Sequence, residues 1–183
     1  MKSLIISGPP CSGKTYLINE LKKNDELLKE KRFESPYRFL NANDIRKNKT
    51  LNTKGTLIIH YDCFRSYKRK EKLSLKTDKF LNFIRLLDKP SIAFLSTMNN
   101  CLVHRMQERK KRLKSSIGSE RMEKLNRLLS LYENQVAFLM EYFKWYNFVE
   151  NNIDFESLYV IHKNPNYIFN NIYSIEDFKH FFK

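Results

Sequence analysis

The sequence predicts an α/β domain of three layers: a parallel sheet with helices packed on both faces. Three observations lead there. Apolar runs of strand length alternate with longer stretches whose apolar residues recur every three or four positions, the pattern of βαβ units. A Gly/Pro turn joins the first strand to the first helix. The length of 183 residues is one domain's worth, enough to bury about 70% of the unfolded surface with no metal or disulfide staple.

Residues 2–7 (KSLIIS) form a short apolar run ending at a turn, which reads as a buried strand. From 15 to about 31, Leu17, Ile18, Leu21, Leu27 and Leu28 lie among charged residues and predict one or two helical segments. Residues 37–40 after Pro36 are a weaker strand, and 56–61 (TLIIHY) after Gly55 a stronger one. Phe80, Leu81, Ile84 and Leu87 predict a helix within 75–87, with Pro90 just past its end. Residues 91–96 (SIAFLS) are the fourth strand and 99–113 a basic helix. A long helical pattern covers 119 to about 149, and 157–162 (SLYVIH) is the fifth strand. Ser174, with Asp177 three residues on, opens a last short helix. With no linker, repeat or low-complexity tract, residues 1–183 are expected to be a single domain.

Composition excludes several classes. Four glycines and five prolines are too few for a collagenous or low-complexity chain. Aromatics at 14% and hydrophobics at 42% are too many for a disordered one. No apolar run has the length of a membrane span, and the first residues lack a long apolar segment, so no membrane partner and a cytoplasmic location are expected. Cys11, Cys63 and Cys101 form no C-x-x-C pair and fit reduced thiols. The four histidines are scattered, which argues against a dedicated metal cluster. A net charge of +14 invites a nucleic-acid partner. The lysine, asparagine, isoleucine, phenylalanine and tyrosine that abound here also share A/T-rich codons, so the charge alone decides nothing.

The strongest motif is Gly8-Pro9-Pro10-Cys11-Ser12-Gly13-Lys14-Thr15, which fits G-x-x-x-x-G-K-[ST] without a mismatch. It lies between a predicted strand and a predicted helix, as the chemistry requires. Gly8 and Gly13 let backbone N–H groups surround a phosphate. The helix starting near Lys14 adds a dipole of about half a positive charge. Lys14 is expected to reach the β- and γ-phosphates, and the Thr15 hydroxyl to ligate Mg²⁺. ATP and Mg are therefore the expected cofactors, and the fold class sharpens to a P-loop NTPase fold with a parallel five-stranded sheet. Asp62, at the end of TLIIHY, is the candidate carboxylate for the metal, and Asp44 suits substrate binding better.

Beyond this loop the chain resembles the nucleoside and nucleotide kinase group of P-loop proteins, adenylate kinase most closely. Asn43-Asp44-Ile45-Arg46 looks like that family's G-D-x-L-R segment, and the resemblance implies that Arg46 holds an acceptor phosphate. Asp62-Cys63-Phe64-Arg65 is similar to D-G-F-P-R without its glycine and proline, and makes Arg65 an acceptor candidate. His104-Arg105-Met106-Gln107-Glu108-Arg109 resembles the helix leading into the lid; Arg105 and Arg109 share one helix face and could clamp the triphosphate. Arg127, in Arg127–Gln135, matches an arginine that points into the family's active site. A short lid-like basic region is thus expected near 99–120.

What the resemblance implies is an ATP-dependent kinase that moves the γ-phosphoryl group to a small acceptor. Lys14, Asp62, Arg105, Arg109 and Arg127 would be its catalytic residues, with Thr15 and Asp62 on the metal and Asp44, Arg46 and Arg65 on the acceptor. Only sixteen positions separate Arg46 from Asp62, less than an adenylate kinase's acceptor helices occupy. The acceptor therefore stays open between a nucleotide and a hydroxyl compound. Two rival readings also stand: a nucleic-acid-linked or regulatory NTPase, and a non-catalytic nucleotide-binding module.

Overall fold

A computed structural model describes residues 2–30, 32–41, 45, 55–164 and 167–173. The chain runs β1 (Ser3–Ser7), α1 (Lys14–Lys23), α2 (Glu26–Glu30), β2 (Tyr37–Leu40), β3 (Thr56–His60), α3 (Arg65–Arg69) and α4 (Lys79–Arg85). It continues with β4 (Ser91–Ser96), α5 (Asn99–Leu113), α6 (Ser119–Glu133), α7 (Gln135–Asn152), β5 (Leu158–Asn164) and β6 (Tyr167–Tyr173).

The strands form one sheet in the order β2-β3-β1-β4-β5-β6. Neighbours are parallel from β2 across to β5, and β6 lies antiparallel against β5. The expected parallel α/β sheet with helices on both faces is present, but it has six strands, not five. The sixth, Tyr-Ile-Phe-Asn-Asn-Ile-Tyr, breaks its apolar run with two asparagines, which hides it from a periodicity reading. The expected helix from Ser174 lies outside the described residues, as do Asp44 and Arg46.

Alternation along each strand divides the core in two. Ile5, Ile59, Ile92 and Phe94 face the larger cluster, filled by Phe80, Leu81 and Ile84 of α4, Leu102 and Met106 of α5, and residues of α6 and α7. Leu4, Ile6, Ile58, Ala93 and Leu95 face the smaller one, closed by Leu17, Ile18 and Leu21 of α1 with Leu28 and Phe33. The central strands are thus apolar on both sides, as buried parallel strands must be.

Local chemistry sets the helix boundaries. Asp78 caps α4, its Oδ1 accepting from the Phe80 and Leu81 backbone N–H groups at 2.9 and 3.2 Å, so the helix starts later than the apolar pattern does. The long helical stretch after Ser119 is two helices. Asn134 takes an extended conformation, and its side chain accepts from Ala137 N at 3.0 Å to start α7. No helix of the described residues is long and apolar enough to cross a membrane.

Candidate functional site

The carboxyl ends of β1, β3 and β4 meet where an open α/β sheet presents its ligand crevice. β1 runs directly into Gly8, whose φ of +151° falls outside the range of ordinary side chains. A Cβ there would stand 2.8 Å from Ser12 Oγ and 3.0 Å from the Leu95 carbonyl oxygen, so the loop packs against β4 only because the residue is glycine. Gly13, at φ +100°, turns the chain into α1. Cys11 also takes a left-handed conformation, with φ 68°, which costs a non-glycine residue on the order of 1 kcal/mol.

Lys14 is the first residue of α1 and only 5% exposed. Its Nζ donates to the carbonyl oxygens of Gly8 and Pro9, both at 2.7 Å, so the loop curls around its own cation. Burial lowers the Lys14 pKa below the ordinary lysine value, and the nearby Asp62 carboxylate partly opposes that shift.

Three further contacts fix the loop from outside. Tyr132, buried on α6, donates from its hydroxyl to the Pro10 carbonyl oxygen at 2.9 Å. Thr97 Oγ1, just past β4, donates to the Ser12 carbonyl oxygen at 3.2 Å. Arg105 of α5 donates from Nη1 to the Cys11 carbonyl oxygen at 3.1 Å, and Arg109, one turn on, lies 4.0 Å from Cys11 Sγ.

Beside the loop is a cavity of about 640 Å³. The loop lines it with Pro10, Cys11, Gly13, Lys14 and Thr15, and β3 and the turn after it with His60 and Asp62. Lys68 comes from α3, Arg105, Arg109 and Arg112 from α5, and Arg121, Lys124, Leu125 and Leu128 from α6. Seven cationic side chains therefore share the wall with one carboxylate, that of Asp62. Asp62 is held on two sides: Oδ1 accepts from Phe64 N at 3.2 Å, and Oδ2 lies 3.8 Å from Lys68 Nζ. His60 is neutral, because burial and then the charge of Lys14 lower its pKa to about 4.

The predicted residues Lys14, Thr15, Asp62, Arg105 and Arg109 thus meet around one cavity, with the Gly8–Thr15 loop at its base. Arg127 and Arg65 are not among its lining residues. The Arg127 guanidinium donates to the Lys68 carbonyl oxygen at 2.9 Å and reaches Glu123 at 3.3 Å, tying α6 to α3. Arg65 is buried, with its guanidinium 4.9 Å from the Phe80 ring centroid. The sequence reading missed His60, Arg112, Arg121 and Lys124 as site residues. Arg112 had a signal: it follows Arg105 and Arg109 at i+7, on the same face of one helix.

Among the described residues no group of three or more His, Cys, Asp or Glu side chains could hold a metal ion. The hard oxygen donors at the loop are the Thr15 hydroxyl and the Asp62 carboxylate. They fit Mg²⁺, which takes one or two protein oxygens and completes its shell with water and substrate phosphates. The chain matches no protein-family model, and no curated protein matches it significantly.

Proposed function

We propose that this chain has the P-loop NTPase fold and is a magnesium-dependent phosphotransferase that uses ATP. The observation that carries the proposal is the buried Lys14, curled into a glycine-hinged loop at the head of α1 and opening onto a cavity of cations and one carboxylate. The loop's backbone N–H groups and Lys14 hold the β- and γ-phosphates. Thr15 and Asp62 would hold magnesium, which when bound neutralises charge on those phosphates. Arg105 and Arg109, which contact Cys11 of the loop, would stabilise the group in transfer, each worth a few kcal/mol (~3) in such a role.

The transfer needs positioning more than covalent chemistry. An acceptor oxygen attacks the γ-phosphorus, the bond from that phosphorus to the β,γ-bridging oxygen breaks, and ADP leaves with the electron pair. If the acceptor is a hydroxyl, Asp62 takes its proton. Leu125 and Leu128, both buried in the cavity wall, help keep water from competing.

The test incubates the protein and its Lys14→Ala variant with Mg²⁺ and γ-labelled ATP, against pools of nucleoside monophosphates, nucleosides, sugars and 5′-hydroxyl oligonucleotides. Label in one pool, lowered at least a hundredfold in the variant, is the expected result. Free phosphate alone, or ATP binding with no turnover on any pool, would replace the kinase with an NTPase or a binding module.

A further inference from the structure

The helical hairpin of α5 and α6 has two lined faces, and the cavity uses only one. Arg105, Arg109 and Arg112 stand at i, i+4 and i+7 and face the cavity. Gln107, Lys110 and Lys114 stand at i, i+3 and i+7 half a turn away and line a second groove of about 650 Å³. Lys111 joins them from the same side, and α6 closes the groove with Met122, Asn126 and Leu129. α5 is therefore a partition with cations on both sides, and at its last turn Lys110, Lys111 and Arg112 are consecutive. The positive charge passes from cavity to groove around the end of the helix.

Few of these cations are neutralised. Lys111 pairs with Glu108 at 2.8 Å, and Lys124 with Glu120. Lys110, Arg112, Lys114 and Arg121 have no carboxylate within ion-pair distance among the described residues. A magnesium-bound triphosphate keeps only about two of its four negative charges, which leaves the outer cations of the cavity unmatched. A small acceptor could occupy the cavity, but it would leave the groove on the far side of α5 unused.

We infer that the hairpin binds a single-stranded nucleic acid, which lies in the groove, passes around the end of α5 and brings its terminal hydroxyl into the cavity as the phosphoryl acceptor. This rests on the kinase reading for the last step only. A chain of phosphodiesters carries one charge per nucleotide and can follow cations that continue from one face to the other. Met122 and Leu129 offer an unpaired base an apolar floor, while Gln107 and Asn126 offer amide donors and acceptors to its edge. A membrane surface fits worse. None of the exposed large hydrophobics among the described residues, Tyr16, Leu86, Met98, Val136, Met140 and Phe143, lines the groove, and Met98 caps the far, N-terminal end of α5, so the basic rim carries no large exposed apolar side chain to insert.

The experiment measures binding of a fluorescein-labelled 12-nucleotide single strand by anisotropy across a salt series. It compares the protein with the double variant Lys110→Gln/Lys114→Gln and, at equal charge, with Lys79→Gln/Lys89→Gln. Thermal unfolding checks that each variant is folded. The groove variant should lose affinity about tenfold or more and flatten the salt slope by about 1.4, at roughly 0.7 per lost contact. The control should stay within twofold, and affinity for the ATP analogue with a β,γ-imido bridge should be unchanged in both. Equal losses in the two variants, no loss in either, or binding to anionic phospholipid vesicles in place of the strand would overturn the inference. Strand binding lost in the groove variant alone, but with no label transferred to any acceptor, would instead remove the kinase reading and leave the hairpin surface standing. Label transferred to a small acceptor, with strand binding indifferent to the groove, would do the reverse.

Discussion

Replacing His60 with glutamine should remove a large part of the protein's sensitivity to mild acid. The imidazole sits at the end of β3 in the cavity wall, and burial together with the Lys14 charge lowers its pKa from 6.5 to about 4. In the unfolded chain it titrates near the ordinary value, so between pH 6.5 and 4 the unfolded state binds more protons. The stabilisation from keeping this group neutral is complete above pH 6.5 and is lost as the pH falls toward 4. The gap between 6.5 and about 4 is worth about 3 kcal/mol in the limit, and about 2.5 kcal/mol of it is gone by pH 4.5. Urea unfolding at pH 7.5 and 4.5 reads this directly: the drop in the native protein should exceed that in His60→Gln by about 2 kcal/mol or more. The same group reports ligand binding, since a bound triphosphate places negative charge beside it and should raise its pKa, with proton uptake visible near pH 5. Equal drops in the two proteins, or an imidazole resonance titrating near 6.5 in the free protein, would refute the reasoning.

Other outcomes follow from single contacts. Asp78, 1% exposed, accepts from Phe80 N, Leu81 N and the Tyr61 hydroxyl, so Asp78→Ala removes a helix cap and strands a buried phenol; chemical denaturation should show a loss of about 3 kcal/mol. Tyr132→Phe leaves the Pro10 carbonyl without its 2.9 Å donor and should cost about 1–2 kcal/mol by the same measurement, with weaker ATP binding by calorimetry because the loop loses an anchor. Gly8→Ala forces a Cβ to within 3.0 Å of the Leu95 carbonyl oxygen at φ +151°; a lowered melting temperature and loss of ATP binding are expected together.

What the sequence made legible follows from how local each signal is. β1, β3 and β4 stand out because strands buried on both faces are written as unbroken apolar runs, and α5 coincides with the predicted 99–113. β6 and the five-residue α3 escaped: one is interrupted by asparagines, the other is too short for a helical period to show. The break at Asn134 is a capping event inside an otherwise continuous pattern, visible only once the side chain is seen on Ala137 N. At the site, Lys14, Thr15, Asp62, Arg105 and Arg109 belong to motifs with a chemical rationale. Arg121 and Lys124 belong to none and line the cavity only because α6 folds back along α5. Arg127 carried a motif match, yet its guanidinium is engaged by Lys68 O and Glu123, a choice no linear pattern records.

The two short bonds inside the Gly8–Thr15 loop have a consequence for selectivity. The Lys14 ammonium is already solvated by the carbonyl oxygens of Gly8 and Pro9, so an arriving anion trades with two internal partners and does not fill an empty seat. What counts is the difference between the bonds gained and those given up. A singly charged anion such as chloride, meeting only Lys14, gains little over what it displaces. The polyphosphate of the proposed function would recover the loss by engaging the loop amides and the arginines of α5 in the same event. On the proposed function, the resting loop would act as a threshold, discounting small anions and answering only a ligand long enough to touch both its base and its wall.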